Sequence, residues 1–260
     1  MNYSSLPFNR ISKSSPSLKV CLESVEKSNN LKLTNSHRVF HAKQSLFSAG
    51  EQFEGLYILR SGSAKSFITS LDGEEHITKF FYPGDLLGVD GFDRHVYMEN
   101  VLFLETSSVC LVKESDLNSL VKNNDDFRNC LLRSMSQSLI NDSAMMMCLS
   151  AYSSEQKVAC FILELSKRFS SHGLCGREFS FSMTRTDIAN NMGMALETVS
   201  RVFASFQQKE LICVHNRQVS ILDIDALRCI ASTDRFTARE NTNLHFNNRN
   251  NIRQDNCCVK

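Results

Sequence analysis

The chain contains no tryptophan and carries almost no net charge. Its 260 residues include 29 Lys or Arg and 28 Asp or Glu, a formal charge of +1. A balance this even excludes a strongly basic, histone-like protein. The sequence has no run of about 18 apolar residues, so we expect no membrane span. The N-terminal residues lack the apolar segment of a secretory signal peptide, and we therefore expect a cytoplasmic protein with no membrane partner.

The sequence also lacks the usual marks of an enzyme. We find no nucleophile–base pairing, no metal-ligand spacing and no phosphate-binding loop, so we predict a protein that is not an enzyme and holds no metal. The ten cysteines are expected to be reduced thiols in the cytoplasm. Four of them lie in helical patterns and are interpreted as small apolar fillers, namely Cys130, Cys148, Cys160 and Cys229.

Glycine is concentrated in the first half of the chain. Seven of the ten glycines lie between Gly50 and Gly91, and short alternating apolar runs stand between them. Short strands separated by glycine-containing turns are typical of an all-β sandwich or barrel. The runs cover residues 56–62, 63–69, 76–81 and 101–112.

A helical pattern follows from about residue 114 to residue 150. Six of its positions are spaced 3, 4, 3, 4 and 3 residues apart, which is the seam of paired helices. We favour a dimer interface, and the alternative is that the seam packs on the chain's own β-domain. The six residues are Leu132, Met135, Leu139, Asp142, Met146 and Leu149.

The segment from Arg185 to Val202, RTDIANNMGMALETVSRV, has the core spacing of a helix-turn-helix. Ala189 is small where one helix must cross the other. Gly193, four residues later, allows the positive φ that a tight turn requires. The apolar residues that fill the wedge between the two helices are Ile188, Val199 and Val202.

That packing leaves Glu197, Ser200 and Arg201 together on the open face of the second helix, because they are spaced i, i+3 and i+4. Such a trio can reach base edges in a DNA major groove. The alternative is that all three are ordinary solvated residues, with Arg201 contacting only phosphate.

The rest of the C-terminal half completes a winged helix-turn-helix. Thr184 and Asp187 resemble a capping box at the start of the first helix. The second helix is predicted from about Leu196 to Lys209. The apolar runs on either side of Asn216-Arg217 predict a β-hairpin wing, since Asn tolerates the positive φ of a tight turn.

We therefore predict an α+β fold with five segments: a flexible leader (1–36), a β-domain (37–115), a dimerisation helix (116–150), a winged helix-turn-helix (151–232) and a disordered, Asn-rich tail (233–260).

This order of domains resembles the Crp/Fnr family of bacterial transcription regulators over residues 38–232, and within it the Fnr branch. The resemblance is carried by LFSAGEQFEGLYILRSGSAKS at 46–66, ETSSVC at 105–110, REFSFSMTRTDIANNMG at 177–193 and LETVSR at 196–201.

The resemblance implies that residues 37–115 form a β-roll sensor domain similar to cyclic-nucleotide-binding domains. It also implies a homodimer in which each subunit reads a TTGAT-type half-site of double-stranded DNA. Arg201 would donate two hydrogen bonds to guanine, Glu197 would accept from cytosine, and Ser200 would contact a thymine or a neighbouring edge. Thr198 lies in the same motif and is included among the DNA contacts. Arg185 is expected to contact phosphate or to be simply exposed, as is Arg217.

Two departures from the family pattern concern the effector. Oxygen sensors of the Fnr type use three closely spaced N-terminal cysteines and one in the β-domain. Here Cys110 matches the latter, but the leader offers only Cys21, so we expect no iron–sulfur cluster. Cys21 and Cys110 are candidates for a reversible disulfide. The alternative is that Cys110 is a buried strand residue and Cys21 an incidental thiol.

The cyclic-AMP branch carries an Arg-Ser or Arg-Thr pair for the cyclic phosphate. Here Arg94 is followed by His95, and Glu99 would add negative charge where the phosphate should be. We therefore expect no cyclic AMP and no other cofactor. A haem is also disfavoured, since His37 and His41 are interpreted as ordinary surface histidines.

The resemblance assigns two further roles. Asp142 would face its own copy across the dimer seam and keep the dimer weak, because two carboxylates there repel each other and lose hydration. The acidic turn that contains Gly73 and Glu74 matches the place where the Fnr branch touches RNA polymerase. A solvated hairpin turn is the alternative for that loop.

The sequence as a whole predicts a transcription regulator that binds DNA and has an activator's polymerase contact. Two alternatives stay open. One is a small-ligand-binding module without DNA function, and the other is a redox or thiol sensor whose β-roll controls dimerisation.

Overall fold

The computed structural model describes residues 37–232. The predicted leader at 1–36, the predicted tail at 233–260 and Cys21 lie outside these residues. Eight strands form the N-terminal half, and every pair between them is antiparallel. They are β1 (His37–Phe40), β2 (Ser45–Phe47), β3 (Gly55–Ser61), β4 (Ala64–Thr69), β5 (Glu75–Phe81), β6 (Leu86–Leu87), β7 (Asn100–Phe103) and β8 (Ser107–Lys113).

These strands form two four-stranded sheets, in the orders β1-β8-β3-β6 and β2-β7-β4-β5. The predicted run at 101–112 is two strands rather than one. After β7 the chain leaves the second sheet, and after a three-residue connection it enters the first sheet as β8. Buried aromatic rings fill the space between the sheets, and Phe47 and Tyr97 stack with their centroids 3.7 Å apart. The β-sandwich prediction is confirmed.

The helical segment after the sandwich comprises two helices, α1 (Glu114–Asn123) and α2 (Asp125–Ala151), where the sequence predicted one. The break lies at Asn124, whose extended backbone ends α1. Its side-chain oxygen accepts a hydrogen bond from the Phe127 amide at 2.8 Å and so caps α2. Asn is among the most favoured N-cap residues, because its side-chain oxygen can accept from a free amide of the first turn.

The C-terminal half is a helix-turn-helix with a β-hairpin wing. Its helices are α3 (Ser154–Ser171), α4 (Arg185–Asn191), α5 (Leu196–Gln208) and α6 (Ile224–Ser232). Its strands β9 (Glu178–Ser180), β10 (Ile212–His215) and β11 (Gln218–Ile221) pair in the order β10-β11-β9. The α+β prediction is confirmed.

Local details of this domain follow the sequence pattern. Asn216 has a φ of 56° in the wing turn. Thr184 and Asp187 form the capping box of α4 in both directions. Ala189 is buried where α4 meets α5, and the wedge residues Ile188, Val199 and Val202 are buried as predicted.

Gly193 has a φ of 58° in the turn between α4 and α5, and a Cβ added there would meet no other atom within 4 Å. The only cost of a side chain at this position is therefore backbone strain. We expect Gly193→Ala to lower the free energy of unfolding by about 1 kcal/mol, measured by urea denaturation. Gly193→Asn is the matched control and should lose less, because Asn tolerates the left-handed region. An equal loss in both variants would contradict this explanation.

Candidate DNA-binding interface

Helix α5 separates its side chains into two faces. One face packs into the core through Val199, Val202, Phe203 and Phe206, all of which are buried. This packing fixes the rotation of the helix about its axis. The opposite face is therefore presented outward by the fold.

The outward face carries the three residues that the sequence singled out. Glu197, Ser200 and Arg201 are all exposed. Thr198, at the edge of this face, accepts a hydrogen bond through its hydroxyl from Arg201 Nη2 at 3.3 Å. The structure thus brings together a carboxylate, two hydroxyls and a guanidinium within two turns of one helix. This set can both accept and donate hydrogen bonds to base edges.

Arg185 lies elsewhere and is only partly exposed. Its guanidinium stacks on the Phe203 ring at 3.4 Å from the centroid and lies 5.0 Å from the Phe181 centroid. Its Nη1 is buried and has no hydrogen-bond partner within residues 37–232. Burial lowers the pKa of Arg185 to about 10, which leaves it charged at neutral pH. Sequence spacing gave no sign of this stacking, because Phe203 belongs to the next helix.

Arg217 lies at the tip of the wing and is exposed. One of its Nη atoms donates to the Ser182 carbonyl at 3.5 Å.

The seam on α2 forms a surface that we call the α2 stripe. It consists of Leu132, Met135, Leu139, Asp142, Met146 and Leu149. Within this single chain the other side of α2 packs on the protein, through Phe127, Leu131, Ala144 and Cys148. Most of the stripe is exposed, and Leu139 reaches 68%. Met135 is partly buried against the β-domain core.

Asp142 is the one charged residue of the α2 stripe, and its side chain is 56% exposed. The Lys79 ammonium of β5 lies 3.6 Å from its Oδ1 and also hydrogen-bonds the Ser138 hydroxyl. Sequence reasoning found Asp142 but missed its partner, which lies 63 positions away on another element.

The turn between β4 and β5 projects from the β-domain. Gly73 there has a φ of 83°, and all residues from 71 to 75 are exposed. The turn is closed by backbone hydrogen bonds, from Ser70 to the Glu74 carbonyl and from Gly73 to the Ser70 carbonyl. Glu74 is accordingly displayed on a short and well-braced loop.

The loop that the family resemblance matches to the cyclic-phosphate site of the cyclic-AMP branch is lined by acidic side chains. The Asp90 carboxylate accepts hydrogen bonds from the amides of Met98 and Glu99, at 2.7 and 3.0 Å. Glu99 itself accepts from the Thr78 hydroxyl at 3.0 Å. Arg94 is 70% exposed and lies beside Asp93. These residues do not fit an anionic ligand, because the backbone amides are used by a carboxylate and a second carboxylate lies next to them.

The two histidines considered for haem binding are both exposed. His37 lies in β1, and His41 follows directly after that strand. The Nε2 of His37 is 2.9 Å from an Arg60 Nη atom. Within residues 37–232 no group of three His, Cys, Asp or Glu is arranged to hold a metal ion.

The cysteines divide into buried and exposed sets. Cys110 is a buried residue of β8, and Cys130, Cys148 and Cys160 are buried in helices as predicted. Cys229 is exposed, so the prediction that it fills the core is wrong. The buried face of α6 contains Leu227 and Ala231, and Cys229 lies midway between them, on the other side.

We expect this division to govern thiol reactivity. Burial raises the pKa of Cys148 to about 11 and that of Cys160 to about 12, so little thiolate forms at pH 8. Alkylation of the native protein, followed by peptide mass spectrometry, should modify the exposed Cys175 and Cys213 first. The two buried thiols should react at least about 100-fold more slowly. Similar rates for all four would contradict the burial, and labelling in denaturant is the control that should make them equal.

No helix within residues 37–232 is long and apolar enough to cross a membrane.

Comparison with known proteins agrees with this architecture. Residues 37–124 match the model of the cyclic nucleotide-binding domain, and residues 156–230 match that of the Crp-like helix-turn-helix domain. The transcriptional activator protein Anr of Pseudomonas protegens is 40% identical over 178 residues, which are 68% of this chain and 73% of that protein. The fumarate and nitrate reduction regulatory protein of Salmonella typhi is 36% identical over 195 residues, 75% of this chain and 78% of that protein.

The fold is shared with solved structures. FixK2 from Bradyrhizobium japonicum superposes with a TM-score of 0.68 at 22% identity, covering 76% of this chain and 98% of that one. The family resemblance and the prediction of a regulator rather than an enzyme are confirmed by the Anr protein and the fumarate and nitrate reduction regulatory protein. The chain is a DNA-binding helix-turn-helix protein that belongs to the Crp/Fnr family of transcription regulators.

Proposed function

We propose that this regulator binds DNA as a homodimer and reads a TTGAT-like palindrome through Glu197, Ser200 and Arg201, with Thr198 beside them. The observation that carries the proposal is the exposed polar face of α5, opposite a fully packed apolar face. Its residue types match the edges of a G·C pair, to which Arg donates two hydrogen bonds and from which Glu accepts one. A DNA partner also fits the expected cytoplasmic location.

The homodimer is supported by the α2 stripe. Its leucines and methionines leave an exposed apolar surface, interrupted by Asp142, on a helix whose other side is already packed. Association of two stripes would remove this surface from water. The two copies of α5 would then have to lie one DNA turn apart, about 34 Å, to enter successive major grooves.

We further propose that the protein activates transcription and touches RNA polymerase through Gly73 and Glu74. The relatives named above include a transcriptional activator. The β4–β5 turn is exposed and acidic, so it suits a basic patch on a partner. Arg185 we assign to phosphate contact, since one side of its guanidinium is stacked on Phe203 and its positive charge is retained.

Neither a four-cysteine iron–sulfur cluster nor cyclic AMP is part of the proposal. A cluster of the Fnr type needs four thiolates, three from the leader and one from the β-domain. At those places this chain has only Cys21 and Cys110. The amides of Met98 and Glu99 are held by Asp90, and no Arg-Ser or Arg-Thr pair follows Arg94. The alternative of a thiol switch gains no support from the burial of Cys110.

The test is a gel shift with a TTGAT-N4-ATCAA duplex, compared with a duplex in which the G·C pairs of both half-sites are replaced by A·T. We expect the first duplex to bind at least about 30-fold more tightly, since each lost base pair contact costs roughly 1–3 kcal/mol. Sedimentation at the same protein concentration should show a dimer on the duplex. Equal affinity for both duplexes would contradict the proposed reading.

A further inference from the structure

The first helix of the helix-turn-helix lies directly against the free edge of the β-domain. Strand β5 ends the sheet order β2-β7-β4-β5, so only one of its edges is paired with another strand. Helix α4 covers the other edge. An uncovered edge presents unpaired N–H and C=O groups, which proteins generally protect.

Two asparagine side chains of α4 take the place of a neighbouring strand. The Asn190 side-chain oxygen accepts from the Ile77 amide at 2.7 Å, and its Nδ2 donates to the Glu75 carbonyl at 2.7 Å. The Nδ2 of Asn191 donates to the carbonyls of Ile77 and Thr78, at 3.2 and 3.3 Å. These are the bonds that a further strand would make, and here they join two domains.

An ion pair lies beside these bonds. The Lys65 ammonium of β4 is 2.8 Å from Asp187 Oδ1, and the two side chains are only 13% and 14% exposed. Burial alone would raise the pKa of Asp187, but hydrogen bonds from Lys65 and Thr184 outweigh it and lower the pKa. Asp187 is therefore charged at neutral pH. The same carboxylate caps α4, so the ion pair attaches the N-terminal turn of this helix to β4.

Apolar packing completes the contact. Ile77 and Phe80 of β5 are buried with the hydrophobic core of the DNA-binding domain rather than with that of the β-domain. The Phe80 ring meets Phe161 of α3, with 6.2 Å between centroids. The contact thus combines hydrogen bonds, an ion pair and apolar packing.

We propose that this contact fixes the orientation of the helix-turn-helix relative to the β-domain, with Lys65, Asn190 and Asn191 as positioning residues. None of them reaches the outward face of α5. They act by keeping α4, and the α5 that packs on it, in one place. If α5 sampled other orientations, the apparent affinity for DNA would equal the intrinsic affinity multiplied by the fraction of molecules in the binding-competent orientation.

The contact also supplies a route from the β-domain to DNA. Two residues of β5 make the two contacts. Ile77 hydrogen-bonds Asn190 of α4, and Lys79, two positions further along the strand, pairs with Asp142 of the α2 stripe. One edge strand therefore touches both the proposed dimer surface and the helix-turn-helix. A change in the dimer seam that displaced β5 would move α4 directly.

The experiment compares Lys65→Met and Asn190→Ala with the wild-type chain and with Lys122→Met, a control at an exposed lysine of α1. Ala is a better helix former than Asn, so Asn190→Ala leaves α4 intact. The first measurement is hydrogen exchange of the Ile77 amide. We expect exchange at least about tenfold faster in Asn190→Ala, because the substitution removes the Asn190 oxygen that accepts from the Ile77 amide, and no change in the control.

The second measurement is affinity for the palindromic duplex, and this part rests on the proposed DNA reading. Lys65→Met and Asn190→Ala should each bind about tenfold more weakly, Lys65→Arg should recover most of the loss, and the control should bind as the wild type does. Unchanged Ile77 exchange would overturn the contact. Unchanged or tighter DNA binding would overturn its positioning role. Failure of the wild-type chain to prefer the palindrome would contradict the proposed function, while the exchange result would still decide the contact.

Discussion

Arg201→Ala is expected to weaken binding to the palindromic duplex by at least about 30-fold. A bidentate pair between Arg and guanine contributes roughly 1–3 kcal/mol, and a dimer makes two such pairs, so roughly 2–6 kcal/mol is lost. Arg201 is exposed, and α5 packs through residues on its other side. The substitution therefore removes the hydrogen bonds to guanine without disturbing the core, and the thermal unfolding temperature should be unchanged.

Two comparisons separate base reading from simple attraction to phosphate. Arg94→Ala removes the same charge from an exposed site on the β-domain and should leave DNA affinity within about twofold. Against the duplex that lacks the G·C pairs, Arg201→Ala should bind as the wild type does, because the contact is already gone. A uniform loss on both duplexes would show that Arg201 contacts only phosphate, and would contradict base reading.

The helix-turn-helix was predictable from sequence because its constraints are local. Ala189 and Gly193 are set by one crossing and one turn, and both lie within a few residues of their partners. The same holds for the Thr184–Asp187 capping box and the Asn216 turn. Patterns of this kind involve residues only a few positions apart in the chain, so their spacing is enough to predict them.

Other features depend on what the chain meets after it folds. The break at Asn124 was missed because Leu120 and Phe127 are one heptad apart and keep the apolar spacing on either side of it. The signal was nevertheless present in residues 123–126, which read NNDD, an Asn N-cap followed by acidic residues of the first turn. Cys229 was misplaced because α6 buries a narrower face than its composition suggested. The Lys65–Asp187 pair joins residues 122 positions apart, and no periodicity connects such residues.

The exposed polar face of α5, which we propose reads DNA, could be predicted from sequence, whereas the contacts that hold α4 on the β-domain could not. Glu197, Ser200 and Arg201 follow from helix geometry once Val199 and Val202 are taken as core. The contacts that hold α4 on β5 use the backbone carbonyl of Glu75 and the backbone amide of Ile77, groups that almost any residue at these positions would offer. These groups are available because β5 is the edge strand of its sheet. The side chains of β5 therefore give almost no sequence signal for the contact with α4.

Asp142→Ala is expected to tighten the dimer at least about fivefold, and DNA binding with it. Across a symmetric seam Asp142 would meet its own copy, and two unit charges 4 Å apart repel by about 1–4 kcal/mol near a protein surface. Within one chain Lys79 lies 3.6 Å from this carboxylate and offsets part of its charge. Sedimentation equilibrium over a range of protein concentrations measures the dimer constant directly.

The Lys79 partner makes this prediction sharper, because the two charges should act in opposite directions. Lys79→Met leaves Asp142 uncompensated and should weaken the dimer, while Lys79→Arg should behave as the wild type does. Asp142→Asn keeps the shape of the side chain without its charge and should tighten the dimer as Asp142→Ala does, which separates charge from helix propensity. Once Asp142 is replaced, Lys79→Met should have little further effect, since the charge that it compensates is gone. Weakening by both single substitutions would instead mean that the ion pair holds α2 in shape, and Asp142 would then support the dimer rather than oppose it.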